Sequence, residues 1–215
     1  MKNNITELVF IIDRSGSMHG LEADTIGGFN SLIAKQRGKE GTCYVSCVLF
    51  NHESKVVCDR VDLDRVTDMT RDDYVTGGNT ALIDAIGGAI HHIGNVHKYA
   101  RPEDVPEHTM FVIITDGMEN ASRFYSADEV RAMVKREQDE YGWEFLFIGA
   151  NIDSVQTARH FGIRPENAVD YHSDAAGTDA AYEAMETAVT HLRACKPLGE
   201  AWKSAINRDN ARRGK

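Results

Sequence analysis

The chain has 215 residues and a net charge of −9, with 42% hydrophobic and 27% charged residues. That balance supplies a sizeable core and excludes a disordered chain, and only 4 prolines leave no room for a collagen-like or proline-rich one. The acidic excess argues against general nucleic-acid binding, which rests on Lys and Arg neutralising phosphates, and apolar runs such as Leu8 to Ile12 and Met110 to Ile114 fall far short of the ~20 residues of a membrane-spanning helix.

At about 150 residues per domain, the length suits one domain over 1–175 and a C-terminal helical extension over 176–215. That extension ends with Lys203, Arg208, Arg212, Arg213 and Lys215 against Asp209, a small basic tail on an acidic body. The start, Met1-Lys2-Asn3-Asn4, lacks the basic lead and long apolar stretch of a secretory signal. Cys43, Cys47, Cys58 and Cys195 form no C-x-x-C pair, which suits buried free thiols in a reducing compartment. The expected location is cytoplasmic.

Period and punctuation then give the elements in order. Glu7 to Ile12 is an apolar run ending at Asp13, as expected of a strand buried on both faces. Leu21 to Lys39 has helical spacing. Cys43 to Phe50 and Lys55 to Val61 are strands, and the short Asn51-His52-Glu53 link makes them an antiparallel hairpin. Thr80 to Val96 is helical, Thr109 to Thr115 a strand, Ala127 to Tyr141 a helix and Glu144 to Gly149 a strand. A short helix over Asp153 to Phe161 and a short strand over Ala168 to Tyr171 follow. Two helices, Thr178 to Cys195 and Leu198 to Arg212, close the chain. This alternation predicts an α/β fold: a Rossmann-like, doubly wound, mainly parallel six-stranded sheet with helices on both faces. In such sheets the reactive loops lie beyond the carboxyl ends of the strands.

Three of those ends collect short oxygen-bearing side chains. They are Asp13-Arg14-Ser15-Gly16-Ser17-Met18, Gly77-Gly78-Asn79-Thr80-Ala81-Leu82 and Thr115-Asp116-Gly117. Asp13, Ser15, Ser17, Thr80 and Asp116 together offer two carboxylates and three hydroxyls. An all-oxygen set suits a hard cation, Mg2+ or Mn2+, with Ca2+ also possible. A sharp turn at Gly16 is expected to aim residues 13, 15 and 17 at one centre. Neutral hydroxyls only partly compensate a divalent ion, which then accepts an acidic oxygen from outside. Thr80 also suits the N-cap of its helix. Asn151 and Asp153 are expected on the same rim, Asp153 as a helix cap. Arg14 and His19 flank the first loop. His91, His92 and His97 miss the i, i+4 spacing that puts two ligands on one helix face, and the nine histidines form no metal pattern.

The run from Val9 to Met18 resembles the first strand and metal loop of von Willebrand factor type A domains. Gly78-Asn79-Thr80-Ala81-Leu82 and Ile113-Ile114-Thr115-Asp116-Gly117 resemble that family's second and third metal loops, in the same order. The resemblance spans roughly residues 5–172. It implies a metal-ion-dependent adhesion site, or MIDAS, at Asp13, Ser15, Ser17, Thr80 and Asp116. The three hydroxyls then touch the metal directly and the carboxylates act directly or through water. It implies sheet order 3-2-1-4-5-6 with strand 3 antiparallel. It also suits a protein partner that offers Glu or Asp to the metal; the acidic charge and the short apolar runs leave neither nucleic acid nor membrane as an expected partner. Phe145 to Asp153 resembles the same stretch of small bacterial and phage-borne members.

The expected activity is therefore non-enzymatic docking. The catalytic rival is a Mg2+-dependent phosphatase with Asp13 as nucleophile. Such enzymes carry a second Asp two residues on, where this chain has Ser15. No G-x-G-x-x-G follows the first strand, and neither a phosphate-binding G-x-x-x-x-G-K-[ST] nor a G-x-S-x-G elbow occurs. A third reading keeps the metal as a stiffener of the three loops only.

Overall fold

The computed structural model describes residues 4–214. Met1, Lys2 and Asn3 at the start, and Lys215 of the basic tail, lie outside them. The strands are β1 (Ile5–Asp13), β2 (Thr42–Phe50), β3 (Ser54–Asp62), β4 (His108–Thr115), β5 (Glu144–Gly149) and β6 (Ala168–Asp170). The helices are α1 (Glu22–Gln36), α2 (Leu82–Tyr99), α3 (Ala127–Tyr141), α4 (Ser154–His160), α5 (Ala175–Arg193) and α6 (Ser204–Arg212). The sheet order is β3-β2-β1-β4-β5-β6. β3 runs antiparallel to β2, and the other neighbours are parallel. The expected hairpin at residues 51–53 and the expected strand order are both present.

Alternation along the central strands divides the core in two, because successive side chains point to opposite faces. Leu8, Phe10, Ile12, Met110, Val112 and Ile114 face α1, α5 and α6. Val9, Ile11, Phe111 and Ile113 face α2, α3 and α4. With both faces covered, β1 and β4 read as unbroken apolar runs. Glu7 is the exception: it is fully buried on β1, and its carboxylate accepts from Arg60 Nε at 2.8 Å on β3.

Local chemistry sets the element ends. Ser126 and Glu129 form a reciprocal capping box at the start of α3, and Gly142 closes that helix in the left-handed region. Thr80 is not a cap. The N-cap of α2 is Ala81, without a side-chain bond, and the helix starts at Leu82. The last helix is shorter than its pattern suggests: after Pro197 and Gly199 only a 3-10 turn precedes Ser204. Three cations of the basic tail form ion pairs at the surface, Lys203 with Glu200, Arg208 with Glu183 and Arg213 with Asp174. Of the four thiols, Cys43 and Cys47 are buried and Cys58 half-buried, but Cys195 is exposed, against the expectation that all are buried.

Candidate metal centre

The three oxygen-bearing loops meet at the carboxyl edge of β1 and β4. Main-chain bonds lock them together. Gly16 N–H donates to the Gly78 carbonyl at 3.0 Å, Gly77 N–H to Arg14 O at 2.8 Å, and Asn120 N–H to Thr80 O at 3.0 Å. Asn51, at the end of β2, donates from Nδ2 to Gly77 O at 2.7 Å, and its carbonyl accepts from Ala81 N–H. Two glycines make the second loop possible. Gly77 and Gly78 have φ of +147° and +78°, and a β-carbon on Gly78 would fall 2.3 Å from the His52 ring. The first loop turns at Gly16 without needing glycine's conformational freedom. Gly16 has no positive φ, and the turn is a 3-10 helix over Gly16–Met18.

The side chains form a graded cup. Asp13, Ser15, Thr80 and Asp116 are buried, while Ser17 stands exposed at the rim. Ser15 Oγ and Ser17 Oγ are 3.0 Å apart. A β-carbon placed on Gly117 would meet Ser17 Oγ at 3.2 Å, Thr80 Oγ1 at 3.2 Å and Ser15 Oγ at 3.9 Å. All three hydroxyls therefore lie within 4 Å of one point beside Gly117, where a β-carbon would be crowded. Asp116 supplies a carboxylate from the β4 end. Its Oδ2 accepts from Ser173 Oγ at 2.6 Å, and its buried Oδ1 has no hydrogen-bond partner among the described residues.

Asp13 is engaged on both oxygens. Oδ1 accepts from Ser15 N–H at 2.6 Å and Oδ2 from Thr115 Oγ1 at 2.6 Å. Its carbonyl accepts from Tyr74 OH at 2.5 Å. Burial pushes the Asp13 carboxyl pKa up, against the Thr115 and Ser15 hydrogen bonds that pull it down, and the Asp116 charge adds to the rise. A cation in the cup would relieve both pressures. The residues present thus fit a hard divalent ion: an orphaned buried carboxylate oxygen, three convergent hydroxyls and a second carboxylate behind them.

All five residues singled out in the sequence come together here. Asn51, Tyr74, Asn120 and Ser173 were missed. Asn51 and Asn120 follow strands at the upper rim, a position that signals them. Nothing in the sequence marks Tyr74 or Ser173. Among the lesser candidates, Asp153 caps α4 by accepting from Gln156 N–H at 2.8 Å. Exposed Asn151 adopts φ +57°. Arg14 Nη1 reaches Val75 O at 3.4 Å, and His19 lies beside Glu22 at 3.2 Å.

A Rossmann-like mixed sheet in this order, with helices on both faces, defines the class of doubly wound α/β domains. The von Willebrand factor type A domain model matches residues 7–189. The chain belongs to that family. No curated protein sequence matches it significantly. Among solved structures it is similar to proximal thread matrix protein 1 of the mussel byssus with a zinc-occupied MIDAS motif, at 15% identity and TM-score 0.56, over 84% of this chain and 44% of that one. It is similar to a von Willebrand factor type A protein of Catenulispora acidiphila at 14% identity and TM-score 0.57, over 84% and 42%. It is also similar to the manganese-loaded TRAP protein of Plasmodium vivax at 18% identity and TM-score 0.57, over 80% and 70%. At these identities the likeness establishes the fold. The chain spans less than half of the mussel and Catenulispora proteins.

Proposed function

We propose that this protein is a docking module whose cup, formed by Asp13, Ser15, Ser17, Thr80 and Asp116, holds Mg2+ or Mn2+ and presents it to an acidic residue of a protein partner. The observation that carries this reading is the convergence of three hydroxyls on one point beside Gly117, open at Ser17 and backed by the unpartnered Asp116 Oδ1. The metal supplies Lewis acidity toward a carboxylate. The chain supplies the geometry: Asp13 fixes the Ser15 backbone, and the Gly77-Gly78 turn delivers Thr80. Two relatives in fold were solved with zinc or manganese, which supports a divalent ion without selecting Mg2+.

The phosphatase reading finds no support. A nucleophilic Asp13 needs a free, accessible oxygen. Both of its oxygens accept hydrogen bonds, and the residue is 0% exposed. Its neighbour two residues on, Ser15, is a poor proton donor at neutral pH.

The reading is tested with Mn2+ and acetate as a minimal carboxylate. Water-proton relaxation enhancement reports Mn2+ binding, and acetate that displaces a coordinated water lowers the enhancement. The expected result is one Mn2+ site, sensitive to acetate and lost in Asp116→Ala and in the Ser15→Ala, Ser17→Ala double variant. Unchanged Mn2+ affinity in both variants would refute the site. A site indifferent to acetate would leave the ion a loop stiffener and refute docking.

A further inference from the structure

At the opposite end of the sheet, three ligand-bearing residues meet at the start of β4. His108 opens that strand, seven residues before Thr115. At ~3.3 Å per residue this is roughly 23 Å from the cup. A carboxylate oxygen of Glu107, a ring nitrogen of His108 and Sγ of Cys195 all lie within 4.8 Å of one another. Cys195 arrives from the end of α5, 87 residues away in sequence. It occupies the left-handed turn that closes the helix, with φ +52°, where glycine is usual. Its N–H donates to Leu192 O, and the next N–H to His191 O.

The contacts converge on one atom. Cys195 Sγ is 3.2 Å from His108 Nε2, and Glu107 Oε1 is 3.8 Å from the same nitrogen. In a proton relay the carboxylate and the thiol would sit on different ring nitrogens. One nitrogen carries a single proton or lone pair in its ring plane and serves one hydrogen-bond partner well. A thiol sulfur, a ring nitrogen and a carboxylate oxygen gathered this closely are instead what a tetrahedral ion organises. Bond lengths of about 2.0–2.3 Å to zinc separate neighbouring ligand atoms by about 3.3–3.7 Å; the 3.2 Å sulfur–nitrogen and 3.8 Å oxygen–nitrogen distances each lie within about 0.5 Å of what such a site needs, a shift that side-chain rotation supplies. Sulfur, imidazole and carboxylate together select a borderline-soft ion over the hard cation that suits the all-oxygen cup. A thiolate and a carboxylate also match its double charge. Cys195 is exposed, so an ion can reach the cluster from solvent.

We propose that Glu107, His108 and Cys195 form a second, zinc-type metal site, which ties the end of α5 to the foot of β4. It is independent of the cup and does not depend on the docking reading.

The test uses Co2+ as a spectroscopic probe in the Ser15→Ala, Ser17→Ala background, under a non-thiol reductant. The expected result is a thiolate-to-cobalt charge-transfer band that saturates at one equivalent and is displaced by Zn2+. Cys195→Ser abolishes the band. His108→Gln weakens Co2+ binding by more than the 10- to 100-fold, about, that outer-sphere changes cost. Zn2+ raises the melting temperature of the parent and not of Cys195→Ser, whose metal-free melting temperature matches the parent's because the residue is exposed. Absence of the band, its persistence in Cys195→Ser, or equal Zn2+ stabilisation of both proteins would leave only a Cys–His hydrogen bond and overturn the site.

Discussion

Gly27 and Gly28 are neighbours on α1, the helix that follows the first metal loop, and their replacement by Ala has opposite expected signs. A β-carbon on Gly27 meets nothing within 4 Å. Ala there gains helix propensity, worth about 1 kcal/mol. A β-carbon on Gly28 falls 2.3 Å, 2.5 Å and 2.9 Å from three ring carbons of Tyr182. Ordinary contacts are about 3.5–4.0 Å, so the ring must retreat by roughly 1 Å. Tyr182 is on α5 and 4% exposed, so retreat means pushing α1 and α5 apart. Overpacking of this kind costs about 1–3 kcal/mol or more, which exceeds the propensity gain. For a chain of this size 1 kcal/mol moves the melting temperature by about 2–4 °C. Urea unfolding followed by circular dichroism is expected to place Gly27→Ala above the parent by about 1 kcal/mol. Gly28→Ala is expected below it by up to about 2 kcal/mol. If Gly28→Ala proved as stable as Gly27→Ala, the claim that α5 is rigidly seated on α1 would fail.

Two further expectations concern charge. The Asp13 carboxyl has its pKa raised in the fold, so its ionised form opposes folding of the metal-free protein once the pH passes the unfolded value of 3.8. At pH 7 without metal, Asp13→Asn is therefore expected to melt no lower than the parent. With Mg2+ the order reverses, because only the parent gains from the ion, and thermal melts with and without chelator check both halves. At the other end of α5, the Arg213 guanidinium bonds Asp174 at 2.5 Å and 2.8 Å and, with the Gly177 N–H, holds its carboxyl pKa down at about 2 against the ordinary 3.8. A depressed carboxyl contributes stability above the unfolded value and loses it as the pH falls through the folded one. Arg213→Ala is expected to melt slightly below the parent at pH 6, with the gap closing as the pH approaches 2.

How far the sequence carries depends on the range of the interaction. Apolar runs over residues 8–12 and 110–114, together with the hairpin link at 51–53, determine strands and their pairing, because alternation and loop length are local. Four of the five candidate cup residues are legible because a strand end delivers its next few residues to one edge whatever packs beneath, and Thr80 because its loop leads into a helix. Thr80 shows the limit: as a residue type it suits a helix cap, yet its N–H donates to Asn120 Oδ1 at 2.9 Å and the helix begins after it.

Of the residues that support the cup from a distance, Tyr74 and Ser173 are not legible at all. Tyr74 holds the Asp13 carbonyl across 61 positions, and Ser173 holds Asp116 across 57. Each is an ordinary hydroxyl until the fold brings it there. The Glu107–His108–Cys195 cluster carries the same lesson further, since no spacing rule joins a strand start to a helix end 87 residues on. The sequence by itself determined the sheet and the chemistry at its carboxyl edge, where backbone periodicity does the placing. Tertiary structure alone decided which groups brace that edge and which thiol meets which imidazole, because those contacts depend on how helices settle on the sheet.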